Sequence, residues 1–184
     1  VLEKYDLPAE FMLYVGSLIE RKNLMGILAA MRQLPKDLQL PLVIVGQGKA
    51  YRKRVTDFAQ KHQLLHLLHF VKPLFSELPA LYQQAALFLY PSHAEGFGIP
   101  VLEALYSETP VITSNISSLP EAAGPGAYLA NPADAAHIAE GIRTLLTDTA
   151  KRNALVKAGY QHAKKFNGEQ LTQQLMDVYE NILD

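Results

Sequence analysis

The sequence predicts an α/β fold, a parallel sheet of about six strands with helices on both faces. Short apolar runs alternate along the chain with longer amphipathic stretches, which is typical of strands joined by helical crossovers. Residues 40–45 are almost entirely apolar, as in a strand that is buried on both faces. No repeat, linker or low-complexity stretch divides the 184 residues, so we expect a single domain over 1–184.

The strands are identified as apolar runs, several of which end at a residue that breaks regular structure. Gly16 follows the first run, Gly46 the second and Pro91 the fourth. The predicted strands are residues 11–15, 40–45, 67–71, 86–90 and 110–113, with a sixth candidate at 127–129.

The amphipathic stretches between and after these runs are predicted to be helices. Pro100 stands in the first turn of one of them, where the missing N–H of proline costs nothing. The predicted helices are residues 24–34, 50–62, 77–85, 99–106, 133–146, 150–165 and 169–183. In open parallel sheets, ligands bind at the carboxyl ends of the strands. The loops that follow the strands are therefore where we expect a site.

Composition excludes several kinds of partner and site. The formal net charge is -1, which gives no indication of nucleic-acid binding. The absence of cysteine excludes disulfides and cysteine metal sites, and it fits a reducing, cytoplasmic compartment. No signal peptide is visible, and no apolar run approaches the ~20 residues of a membrane span. The chain opens with Val1 rather than Met, so we expect a piece of a longer protein.

The most informative stretch is PSHAEGFGIPVLEA, residues 91–104, between the fourth predicted strand and its helix. Two carboxylates, Glu95 in the loop and Glu103 in the helix, can accept hydrogen bonds from a hydroxyl-rich ligand. Helical side chains lean toward the N-terminus, so Glu103 is predicted to face the same crevice as Glu95. Two alternatives stay open: solvent-facing acids favoured by the helix dipole, and the paired carboxylates of a glycoside hydrolase.

Two further features indicate an anionic ligand. The backbone N–H groups of residues 96–99 can form an anion cradle at the start of a helix. Arg21 and Lys22 follow the first predicted strand, and adjacent cations there can neutralise a diphosphate. The alternative for this basic pair is a solvated helix start. Together with the glutamates, these features favour a nucleotide sugar.

Other candidate motifs are weaker. Residues 46–49 (GQGK) follow a strand but lack the spacing of a phosphate-binding P-loop, so they are interpreted as a turn. His62, His66 and His69 have metal-ligand spacing, but the predicted break between helix and strand removes their common face. We therefore predict no metal site and no cofactor, with Arg, Lys and helix N-termini handling the diphosphate.

These stretches resemble the group 1 glycosyltransferases, the retaining family 4 with the GT-B architecture of two Rossmann-like domains. The resemblance covers nearly the whole chain and centres on the glutamate–seven residues–glutamate motif from Glu95 to Glu103. The other matching stretches are YVGSLIERKN, LVIVGQGK, ELPALYQQAALFLYPS, TPVITSNISSLPEAAG and a closing helical tail. The resemblance implies that this chain is the C-terminal, nucleotide-sugar-binding domain, one half of a GT-B architecture, without the N-terminal acceptor domain.

The resemblance also implies a role for each motif residue. Glu95 would contact the hydroxyls of the donor sugar and Glu103 the ribose, while Arg21 and Lys22 would hold the diphosphate and stabilise the leaving group. The implied catalytic residues are thus Lys22, Arg21 and Glu95. The implied donor-binding residues are Gly16, Ser17, Val71, Lys72, Gly96, Phe97, Gly98, Ile99 and Glu103. Of these, Val71 and Lys72 would lie beside the nucleobase.

We therefore expect the donor-binding half of a retaining hexosyltransferase. The intact enzyme would move a sugar from a nucleoside diphosphate, such as UDP- or GDP-hexose, to a hydroxyl of a saccharide or lipid acceptor. The chain alone would bind donor and transfer sugar poorly or not at all. We expect a cytoplasmic location, with the intact enzyme a candidate for peripheral contact with the inner membrane. Two alternatives are a non-catalytic nucleotide-binding or interaction module and a hydrolase or epimerase of the same architecture.

Overall fold

The computed structural model describes residues 1–166, 168, 172 and 176–179. Six parallel strands form one sheet in the order β3-β2-β1-β4-β5-β6. Their bounds are β1 (Met12–Val15), β2 (Leu42–Val45), β3 (Leu68–Val71), β4 (Leu87–Tyr90), β5 (Val111–Ser114) and β6 (Ala127–Ala130). Every predicted strand is present within two residues of its expected bounds, and the sixth candidate is a strand.

The helices are α1 (Leu24–Met31), α2 (Lys49–Lys61), α3 (Leu78–Gln84), α4 (Ile99–Tyr106), α5 (Leu119–Ala123), α6 (Ala135–Thr147) and α7 (Thr149–Ala163). The predicted bounds of α4 are correct at both ends. The prediction for α1 is three residues too long, because Leu34 is buried in the turn after the helix and extends the apolar pattern. Helix α5 was not predicted. Most of the helix predicted over 169–183 lies outside the described residues.

The sheet separates two apolar layers. Successive side chains of β1 enter opposite layers, with Met12 and Tyr14 on one side and Leu13 on the other. The first layer is formed with α1, α2 and α6, and the second with α3, α4, α5 and α7. Helices therefore cover both faces, as predicted, and the core sits on either side of the sheet.

The loops after β1 and β2 touch directly at the carboxyl edge of the sheet. A Cβ atom on Gly46 would lie only 1.9 Å from the backbone oxygen of Gly16. The Leu18 N–H donates to the carbonyl of Gln47 at 2.8 Å, next to this contact. The glycine-rich segment interpreted as a turn thus holds the start of the β1 loop in place. Among the described residues, no helix combines the length and apolar character needed to cross a membrane.

Candidate functional site

The loop after β1 carries the basic pair. It ends in one 3-10 turn, Glu20–Lys22, and Asn23 then begins α1 as its N-cap. Since β1 and β4 are neighbours in the sheet, their loops emerge side by side. The backbone of the two loops is joined directly, because the His93 N–H donates to the carbonyl of Arg21 at 2.8 Å.

The structure brings Arg21, Lys22 and Glu95 into one cluster of charges. Lys22 Nζ lies 2.7 Å from Glu95 Oε1, and Arg21 Nη1 lies 3.0 Å from Glu95 Oε2. The Glu95 side chain is 8% exposed and that of Lys22 12%, whereas that of Arg21 is 45% exposed. Two cations thus share one buried carboxylate, which leaves the cluster with one excess positive charge.

The surroundings of Glu95 keep its carboxyl ionised. Burial by itself raises the pKa of this group, but the neighbouring Lys22 ammonium and Arg21 guanidinium outweigh burial, so the pKa lies below its ordinary value. Lys22 Nζ also donates to the Tyr90 hydroxyl and lies 4.8 Å from the centre of the Tyr90 ring. Burial, and next the Glu95 carboxylate, raise the pKa of Tyr90, so its hydroxyl stays neutral. The lysine is therefore held from two sides.

Two serines that follow β5 fix the backbone around Glu95. Ser117 Oγ accepts a hydrogen bond from the Glu95 N–H at 3.1 Å and donates to the Glu95 carbonyl at 3.0 Å. Ser118 Oγ reaches the carbonyls of Glu95 and Phe97, both at 3.0 Å. The loop that carries Glu95 is thus supported by the segment that follows the next strand of the sheet.

The N-terminus of α4 opens beside this cluster. Gly98 begins the helix with a φ of 117°, and a Cβ there would lie 2.8 Å from Leu119 Cδ2. Ile99 is exposed, and a Cβ on Gly96 would meet nothing within 4 Å. Within the described part of the chain, the N–H groups of Phe97, Gly98 and Ile99 have no hydrogen-bond acceptor. Free donors at a helix start attract anions.

The second glutamate of the motif lies one helical turn further, in a groove between α3 and α4. Glu103 Oε2 accepts a hydrogen bond from the Tyr82 hydroxyl at 2.9 Å. The groove has a volume of about 640 Å³, and apolar side chains form most of its wall: Phe75, Leu78, Ile99, Leu102 and Tyr106. No contact joins Glu103 to Glu95 in the described structure. The groove therefore offers one acidic group on a mostly apolar surface.

The remaining predicted site residues lie at different distances from the cluster of charges. Gly16 borders it, since a Cβ on this residue would lie 3.6 Å from the Tyr90 ring and 3.8 Å from Lys22 Cδ. The Ser17 carbonyl accepts from the Tyr14 hydroxyl at 3.0 Å. Val71 and Lys72 lie at the end of the edge strand β3, two strands away from β1. The structure does not bring these last two residues into contact with the charged cluster.

Several residues that contact the predicted site residues were missed by the sequence analysis: Asn23, Tyr82, Tyr90, Ser117 and Ser118. Asn23 directly follows the basic pair before a helix, which is an N-cap signal. Tyr90 ends β4 and the serines follow β5, so the rule on carboxyl ends of strands applies to them too. In the part of the chain that the structure describes, no three His, Cys, Asp or Glu side chains lie close enough together to hold a metal ion.

Asn23 ties three loops together and is expected to be important for stability. Its Nδ2 donates to the carbonyls of Pro91 and Pro132 at 2.9 and 2.8 Å, and its Oδ1 accepts from the Gly26 N–H. Asn23→Ala leaves the two buried carbonyls unpaired, while the Gly26 N–H keeps the carbonyl of residue 23, and we expect a loss of about 3 kcal/mol in the free energy of unfolding. Urea denaturation measures this loss. Asn131→Ala, which removes one exposed side-chain hydrogen bond, is the control, and equal losses in both variants would contradict the prediction.

Comparison with known proteins relates this geometry to one family. The family model described as glycosyl transferases group 1 matches residues 3–162. O-antigen chain mannosyltransferase B of Escherichia coli is 34% identical over 189 residues, a match that covers 97% of this chain and 48% of that protein. The chain thus spans about half the length of this curated relative.

Solved structures share the fold. Sucrose-phosphate synthase from Thermosynechococcus elongatus matches with a TM-score of 0.85 and 31% sequence identity, over 99% of this chain and 48% of that one. A crystal structure of Anabaena HepE in complex with UDP and glucose matches with a TM-score of 0.87 and 20% identity, over 97% of this chain and 50% of that one.

Proposed function

The chain belongs to the group 1 glycosyl transferases, and we propose that it is the domain that binds the nucleotide-sugar donor of such an enzyme. The proposal rests on one observation: Arg21 and Lys22 converge on Glu95 beside the open N-terminus of α4. This arrangement combines positive charge with an acceptor of hydroxyl hydrogen bonds. Its position at the carboxyl ends of neighbouring strands is where α/β sheets of this kind bind nucleotides.

The diphosphate is proposed to bind between the basic pair and α4. Arg21 offers several donors in a plane, Lys22 a compact charge, and the N–H groups of residues 97–99 free donors with the helix dipole behind them. When the bond between the sugar and the diphosphate breaks, negative charge develops on the leaving phosphate. These groups stabilise that charge, and the proposal assigns no role to a metal.

The two ends of the donor are proposed to be held by the two glutamates. Glu95 accepts hydrogen bonds from the sugar hydroxyls, and Glu103, oriented by Tyr82, accepts from the ribose hydroxyls. The apolar groove beside Glu103 supports this assignment, because it provides a surface on which the nucleoside can pack. Val71 and Lys72 are assigned to the edge of the base.

In the intact enzyme, we propose that a hexose leaves the nucleoside diphosphate for an acceptor hydroxyl with its anomeric configuration retained. The acceptor, a saccharide or a lipid, would bind outside the donor-binding domain. The relatives include a mannosyltransferase, a sucrose-phosphate synthase and a protein bound to UDP and glucose, so donors with different sugars and different bases belong in the first test. A cytoplasmic location stays a prediction from the absence of cysteine.

A thermal-shift panel tests the donor assignment. It comprises UDP, GDP and ADP, their hexose conjugates, and the corresponding nucleosides. We expect one diphosphate family to raise the melting temperature selectively, because a ligand present at 100 times its Kd adds about 2.7 kcal/mol of stability. For a chain of this length the gain corresponds to about 5–10 °C. A panel in which no diphosphate stabilises the chain more than its nucleoside would refute the proposal.

A further inference from the structure

Glu95 already engages both cations that are assigned to the diphosphate. One carboxylate oxygen lies 2.7 Å from Lys22 Nζ and the other 3.0 Å from Arg21 Nη1. Ser117 and Ser118 hold the backbone of the loop that carries this carboxylate. The free domain thus carries its own anion in the position where a phosphate would be neutralised.

We propose that Glu95 is an internal counter-anion that makes the site discriminate between the intact donor and the spent nucleoside diphosphate. This inference rests on the proposed function and goes beyond it. A diphosphate that draws Arg21 and Lys22 toward itself removes the partners of Glu95. With the sugar present, its hydroxyls replace them as hydrogen-bond donors. Without the sugar, an ionised carboxylate faces the terminal phosphate.

Burial makes this difference large enough to matter. The Glu95 side chain is only 8% exposed, so water compensates little for lost partners. A buried carboxylate that loses its partner is strongly destabilising, and charge repulsion across a few ångströms is screened less than at the surface. The site therefore holds the nucleoside diphosphate less tightly than its two cations alone would. Such a site favours release of the product once the sugar has been transferred.

The test compares each nucleoside diphosphate with its own hexose conjugate in wild type and Glu95→Gln, by titration calorimetry. The probes are UDP with UDP-glucose, GDP with GDP-mannose and ADP with ADP-glucose. The glutamine removes the charge and keeps the size of the side chain. We expect the diphosphate to bind about tenfold more tightly, which corresponds to about 1.4 kcal/mol, while the conjugate does not gain affinity.

The control is Glu140→Gln, which removes an equally charged side chain that pairs with Arg143 on the exposed surface of α6. It should leave both affinities unchanged. If Glu95→Gln does not fold, Glu95→Ala must change the ratio of the two affinities in the same direction. A diphosphate that binds with unchanged or lower affinity, or an equal gain for both ligands, would overturn the inference alone. Wild-type protein that binds none of the six ligands would overturn the proposed function as well.

Discussion

Lys22→Ala is expected to weaken binding of the nucleotide sugar about 100-fold, the largest effect on affinity of any single change in the site. Lys22 is nearly buried, lies 2.7 Å from Glu95 and contacts Tyr90. Its removal brings the cluster from one excess positive charge to none, because Glu95 then neutralises Arg21. Truncating one member of a buried charge pair costs roughly 2–5 kcal/mol, and about 2.7 kcal/mol corresponds to this change in Kd.

The matched control for Lys22→Ala is Lys53→Ala. Lys53 also pairs with a carboxylate, Asp57, but its side chain is 77% exposed on α2. Titration calorimetry with the nucleotide sugar that stabilises the wild type should show an unchanged Kd for the control. Lys22→Met, which keeps most of the aliphatic stem against Tyr90, separates loss of charge from loss of packing. Equal affinities in Lys22→Ala, Lys22→Met and Lys53→Ala would refute the assignment of the diphosphate site.

Gly46→Ala is expected to produce the largest loss of stability. The added Cβ would stand 1.9 Å from the backbone oxygen of Gly16, and this neighbour is main chain that cannot rotate away. The loops after β1 and β2 would have to separate, which breaks the hydrogen bond from Leu18 to Gln47. We expect a loss of about 4 kcal/mol or more in the free energy of unfolding, with a melting temperature lower by roughly 8–16 °C.

Differential scanning calorimetry measures the effect of Gly46→Ala, and the same protein offers a control. A Cβ on Gly96 meets no atom within 4 Å, so Gly96→Ala should melt within about 2 °C of the wild type. Because the β1 loop carries Arg21 and Lys22, folded Gly46→Ala protein should also bind the nucleotide sugar more weakly. A melting temperature equal to that of Gly96→Ala would show that the two loops do not need this close contact.

Most of the fold could be predicted from the sequence because its strands are short apolar runs, and three of them are followed by glycine or proline. Gly16, Gly46 and Pro91 mark three of these ends at the carboxyl edge of the sheet. Helix α5 escaped prediction because five residues are too few to show a helical period. The end of α1 was misplaced because Leu34 is buried by tertiary packing after the helix has stopped.

The rule that ligands bind at the carboxyl ends of parallel strands was sufficient to find the charged residues of the site. It was not sufficient to find the residues that hold them in place. Arg21, Lys22 and Glu95 lie in the loops that follow β1 and β4, and the adjacency of these two strands brings them together. Ser117 bonds to Glu95 and Tyr90 bonds to Lys22. Both contacts depend on the register of neighbouring strands, which cannot be read from a single sequence. The same holds for the bond between Tyr82 and Glu103, which requires α3 to lie beside α4.

The strand order has a consequence for engineering. After β3 the chain crosses back over the sheet, so that β4 lies next to β1 and further strands are added in the opposite direction. The helix that follows β1 packs in one layer and the helix that follows β4 packs in the other. No crossover connection therefore covers the crevice between the ends of these two strands. This opening is a property of connectivity rather than of side chains. Loops grafted onto these strand ends should therefore redirect ligand choice while the scaffold beneath them stays unaltered.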